Sequence, residues 1–138
     1  MSAGYTHLNL KRDVEDMAPK GGMAPDVEAR FATASLDLEK SAVSHQRLAP
    51  NARAPFGHRH KQQEELYVVL SGSGRIKLDD EIVELRARDA VRIAPDTMRA
   101  VEAGPEGIEI LAFGAPNLGP ASEDIAESVP GWWSEGGP

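Results

Sequence analysis

From Leu36 onward, apolar and polar residues alternate in short runs, the two-residue period of half-buried β-strands. Ser41 to Leu48 predicts one strand and Arg53 to His60 the next, with Pro50-Asn51 turning between them. Glu64 to Leu70 follows, and Ser71-Gly72-Ser73-Gly74 predicts a turn into Arg75 to Leu78. Asp79-Asp80 then separates two alternating runs, Arg75-Ile76-Lys77-Leu78 and Glu81-Ile82-Val83-Glu84-Leu85, which is a hairpin pattern. Ala90 to Ala94 and Met98 to Glu102 join at Pro95-Asp96, and Gly104 to Gly107 turns into Ile108 to Phe113. Short strands with frequent turn residues and almost no helix predict an all-β antiparallel sandwich or jelly roll. Periodicity does not separate a jelly roll from an immunoglobulin-like sandwich.

The two ends read differently. Residues 1 to 24, with Pro19, Gly21 and Gly22, hold no sustained period and predict an extended arm with a short strand at Thr6 to Leu10. Beyond Pro25-Asp26, Val27 and Phe31 stand four apart and predict a short helix over Val27 to Ala32, a brace or lid at one barrel end. After Gly114 the chain turns to Pro116, Gly119, Pro120, Pro130, Gly136, Gly137 and Pro138, an irregular tail that nevertheless carries Trp132 and Trp133. Each indole can bury on the order of 200 Å², so the tail is expected to dock on the barrel or on a second subunit, the alternative being a wall of a ligand mouth. The expected division is residues 1–34 as arm and short helix, 35–115 as barrel and 116–138 as tail, a single domain overall.

Composition narrows the chemistry. At 138 residues the chain closes one core. It holds no cysteine, which excludes disulfides, thiol catalysis and Cys-ligated metal, and the expected compartment is the cytoplasm. No apolar run approaches the roughly eighteen residues of a membrane span. The net charge of -7 argues against a nucleic-acid partner, and acidity on this scale serves solubility more often than a ligand preference.

The chemistry concentrates in Gly57 to Gly74. His58 and His60 are two apart, so an extended backbone sends both imidazoles from one face and Arg59 from the other. Glu65 follows His60 at an odd interval, so it joins them only if the chain bends, and Lys61-Gln62-Gln63 has no β-branched residue to resist that. Parity then leaves Glu64 facing solvent. Two histidines and a carboxylate form the facial set that holds a divalent transition metal with positions left open, and Fe, Mn, Ni, Zn and Cu all accept it.

This stretch resembles the first motif of the cupin superfamily, H-x-H-x4-E-x6-G, filled here by His58, His60, Glu65 and Gly72. The second motif, approximately G-D-x-x-x-[IV]-P-x-G-x-x-H, is met in part by Asp89 and Ile93, with Pro95 one place along, whereas Asp96 stands where glycine is usual and Arg99 where the family has a further metal-binding histidine. The resemblance covers residues 35 to 115 and implies a cupin double-stranded β-helix, a jelly-roll barrel that commonly pairs as a homodimer. Arg99 cannot ligate, because guanidinium stays protonated and only donates. Three arrangements are open: a three-ligand metal site with Arg99 directed at an anionic substrate, an empty barrel with Glu65 paired to Arg99, or His45 replacing the missing nitrogen. Tyr67 is expected to line the barrel. The resemblance implies either a metal-dependent enzyme of dioxygenase or isomerase kind or a non-catalytic small-molecule binding module.

Overall fold

A computed structural model describes residues 4–118 and 127–134. Strands β1 (Val27–Phe31), β2 (Ala42–Leu48), β3 (Phe56–Arg59), β4 (Glu64–Leu78), β5 (Glu81–Arg86), β6 (Ala90–Ile93), β7 (Arg99–Ala115) and β8 (Glu127–Pro130) carry the fold. Every pairing is antiparallel. The two long strands each serve two walls. The first half of β4 and the second half of β7 pair with each other and with β6 and β2, and β1 closes that wall beside β2. The second half of β4 pairs with the start of β7 and with β5, and β3 and β8 complete the other wall. The result is the expected jelly roll, an all-β double-stranded helix of strands. Alternate residues such as Leu48, Tyr67, Val69, Ile76, Ile93 and Ile110 point inward and form one buried cluster.

Sequence and structure part at four places. The expected helix over Val27 to Ala32 is instead strand β1, because Val27 and Ala29 are buried while Glu28 and Arg30 lie between them, and all pair with β2. The four-residue spacing of Val27 and Phe31 is compatible with both periods, and the open edge of β2 selects the strand. The short N-terminal helix lies earlier, at α1 (Leu10–Asp13), where a strand was expected to end. Asn9 caps it, its Oδ1 accepting from the amides of Lys11 and Arg12 at 3.0 and 2.9 Å.

Ser71-Gly72-Ser73-Gly74 is likewise a bend within continuous β4 rather than a turn, with register shifts against β7 on either side of it. Gly72 has φ +78°, and a Cβ there would stand 2.1 Å from the carbonyl oxygen of Gly107, so the motif glycine marks a close crossing of two backbones. Gly104 to Gly107 is the matching bend inside β7.

The tail docks on its own barrel. Strand β8 runs along β3, Trp133 is 3% exposed, and the guanidinium carbons of Arg53 and Arg75 stand 4.5 and 5.2 Å from its ring. Glu102 binds both arginines, its Oε2 accepting from Arg53 Nε at 2.8 Å and its Oε1 from Arg75 Nη2 at 2.7 Å. Gly119, Pro120, Gly136, Gly137 and Pro138 of the expected irregular tail lie outside the described residues. Among the described residues no helix is long and apolar enough to cross a membrane.

Candidate metal centre

Strand β3 ends at Arg59 and β4 begins at Glu64, so the expected bend falls at residues 60–63. The amide of His60 donates to Pro95 O at 2.7 Å, which fixes the exit of the chain from β3. The consequence is convergence. Glu65 Oε1 lies 3.3 Å from His58 Nε2 and 3.5 Å from His60 Nε2, and the two imidazoles meet edge to face with centroids 5.3 Å apart. All three donors lie within 4.8 Å of one another, and among the described residues no other group of three His, Cys, Asp or Glu does so.

The donor set fits a divalent ion. Two ligands each about 2.1 Å from one metal stand about 3.0–3.4 Å apart for angles between octahedral and tetrahedral. The observed histidine-carboxylate separations are 3.3 and 3.5 Å, close to that range. Burial alone would raise the Glu65 carboxyl, but hydrogen bonds and charge from His58 and His60 outweigh it and hold it at about 2. Glu65 is therefore an anion at neutral pH, the form a metal needs.

Two more groups touch the same oxygen. The Tyr67 hydroxyl lies 3.5 Å from Glu65 Oε1, and burial followed by the nearby Glu65 charge pushes its phenol well above the usual range, so it stays protonated. Arg99 stands opposite His58 in the β3–β7 register, and its Nη1 is 3.7 Å from Glu65 Oε1. It is fully buried, with Nη1 and Nη2 donating to the carbonyls of His58 and Ala94 at 3.4 and 3.0 Å. Its Nε has no hydrogen-bond partner among the described residues.

These groups line one side of a cavity of about 390 Å³ between the walls. Val27, Ala29, Leu48, Val101 and Ala112 make much of the remaining lining, and half-buried Phe56 and exposed Phe31 also contribute. His45 is not brought to this group. Its neighbours Ser44 and Gln46 line the cavity, while His45 turns to the opposite face, where its Nε2 lies 2.6 Å from Glu109 Oε2. Strand parity is the reason: a residue one step from an inward one faces outward. Sequence reasoning missed Ser128, which joins the lining because β8 pairs with β3 and sets it opposite His58. A four-residue strand in a Pro- and Gly-rich tail leaves no periodic signal. Gln63 also lines the cavity from the bend itself.

A family model described as a cupin domain matches residues 44–112. An uncharacterized protein of Methanocaldococcus jannaschii is 32% identical over 71 residues, which is 51% of this chain and 57% of that protein, less than two thirds of its length. Among solved structures, a cupin protein from Bacteroides fragilis superposes with a TM-score of 0.68 at 31% identity, over 90% of this chain and 92% of that one. KdgF from Halomonas sp. gives 0.62 at 16% identity over 79% and 92%, and a variant of Bacillus subtilis oxalate decarboxylase gives 0.70 at 22% over 90% and 33%. At those last two identities the likeness concerns the fold alone.

Proposed function

This chain belongs to the cupin family, and on that premise we propose that it binds a divalent transition metal through His58, His60 and Glu65. The bound centre would act on a small oxygenated or anionic metabolite, in reactions of dioxygenase or isomerase type. One observation carries the reading: three donors of metal-binding kind converge on one side of a cavity large enough for a metabolite. Fe, Mn, Ni, Zn and Cu all suit two imidazoles and a carboxylate.

When bound, such an ion supplies Lewis acidity and open coordination positions. The chain's own residues do the rest. Glu65 contributes the anionic ligand, Tyr67 holds a proton beside it, and the apolar lining keeps bulk water from the far side of the ligand. Arg99 holds a permanent positive charge behind Glu65. Protein purified without chelator should contain about one equivalent of transition metal per chain, and His58→Ala should reduce it several-fold. Metal-free wild-type protein that also fails to take up added ion would refute the reading.

The Glu65–Arg99 separation of 3.7 Å favours a second reading, a metal-free binding module in which that pair neutralises itself. There the cavity binds a small molecule without turnover, and chelators leave ligand affinity unchanged. In both readings residues 35–115 act as the body of one barrel whose walls β1 of the arm and β8 of the tail extend, and two copies associate as a homodimer. The outward pair of Phe113 and Leu66, neighbours across β7 and β4, supports that association, since they are 38% and 40% exposed.

A further inference from the structure

The charge on the cavity wall specifies more about the ligand than the shape does. Of the described residues that line it, only Glu65 and Arg99 carry a fixed charge at neutral pH, one of each sign. Arg99 is held by two main-chain carbonyls, exposes no surface, and among the described residues has Glu65 as its one ion-pair partner. It can neither leave nor lose its proton, so its charge is a permanent part of the site.

Resting on the metal reading above, we infer that the ligand is a dianion with a compact apolar body, bound in concert with the metal ion. Without an ion, Glu65 and Arg99 cancel and the cavity attracts no net charge. A divalent ion on His58, His60 and Glu65 leaves a surplus of two positive charges; the same three ligands without the arginine would leave one. Charge buried without a counter-charge is costly. A neutral ligand leaves the surplus in place, a monoanion halves it, and a dianion removes it. The apolar lining formed by residues such as Val27, Leu48, Val101 and Ala112 receives the rest of the molecule. Because its surface is closed off, Arg99 acts through its field rather than by touching the ligand, and it is a specificity-determining residue rather than a catalytic one.

The probes are hexanamide, hexanoate and butylmalonate, which carry none, one and two negative charges on similar apolar bodies. Manganese(II) is titrated into the whole protein by calorimetry in the presence of each, at matched ionic strength and free ion. In the wild type, hexanamide should leave manganese affinity near its value without additive, hexanoate should raise it, and butylmalonate should raise it about tenfold or more. In Arg99→Met the advantage of butylmalonate over hexanoate should shrink several-fold, whereas Arg99→Lys should keep most of it. Chelation by the malonate head alone would be equal in both proteins, so the same ranking in Arg99→Met overturns the inference. Affinity independent of anion charge in the wild type overturns it too. If Arg99→Met does not fold, the wild type decides by reciprocity, because manganese must tighten butylmalonate by the factor that butylmalonate tightens manganese. Butylmalonate binding equally with and without manganese overturns the inference. Failure of manganese to bind under every condition refutes the metal reading itself, an outcome distinct from binding without charge dependence.

Discussion

Arg99 faces His58 across β3 and β7, where a histidine would send an imidazole toward the same ion. A metal bound about 2.1 Å from Glu65 Oε1 would lie within about 6 Å of Arg99 Nη1, where the two cations would repel by about 6 kcal/mol at an effective dielectric of 20. The Glu65–Arg99 attraction is present with and without the ion, so its loss lowers the stability of the fold rather than the metal affinity. Arg99→His should still tighten zinc(II) by about tenfold or more, because it removes a cation and adds a ligand neutral near pH 7. Equal affinity in a zinc titration would mean that the guanidinium field does not reach the centre. The convergence of His58, His60 and Glu65 was legible in the sequence because two histidines of one parity, a bend and a carboxylate leave few geometries. Tyr67 was legible as lining because a phenol, ordinarily titrating near 10, is a poor acid at neutral pH, and it does line the cavity. His45 was not, since its face depends on the register of β2 against β7, which no spacing within β2 encodes.

At the scale of elements, the strand that carries His58 is held from outside by the tail. Gly57 is buried, and a Cβ there would lie 2.5 Å from Trp132 Cε3. Gly57→Ala should displace the indole at a cost of about 1–3 kcal/mol, seen as a lower Tm and altered tryptophan emission. The two tryptophans are both in this tail, so that signal reports on it alone. Trp133→Ala should cost more, about 3–5 kcal/mol, because a nearly buried ring is lost. Burial pushes the Glu102 carboxyl up, yet hydrogen bonds from Arg75 and Arg53 leave it below its ordinary value. A depressed carboxyl stabilises the folded state above its unfolded pKa of about 4.5, and the contribution disappears as pH falls through the folded one. Trp133 emission should therefore shift on acidification below about pH 4.5, and Glu102→Gln should show the loosened signal already at neutral pH and little further change on that account. Alternation revealed most strands, but it read β1 as a helix because its partner edge on β2 is a tertiary fact. The Gly72 and Gly107 bends looked like turns because glycine serves close backbone approach as readily as chain reversal.

At the scale of the molecule, the outward stripe of Phe113 and Leu66 should hold two copies together. Sedimentation should give a dimer at micromolar concentration, and Phe113→Lys should give a folded monomer with unchanged secondary structure; a wild-type monomer at that concentration would leave the stripe without this role. The jelly roll was anticipated in the sequence through its motif, whereas the path of β4 and β7 through both walls was not, since each was read as two strands. That shared path has a consequence for how the molecule comes apart. One pair of strands is the spine of both walls, so neither wall can unzip at its centre while the other stays closed. In native-state hydrogen exchange, the paired amides of β4 and β7 should therefore exchange together, at the rate of global unfolding, while those of β1 and β8 at the margins open earlier. The barrel's breathing is confined to its margins, and β8 is the margin beside His58.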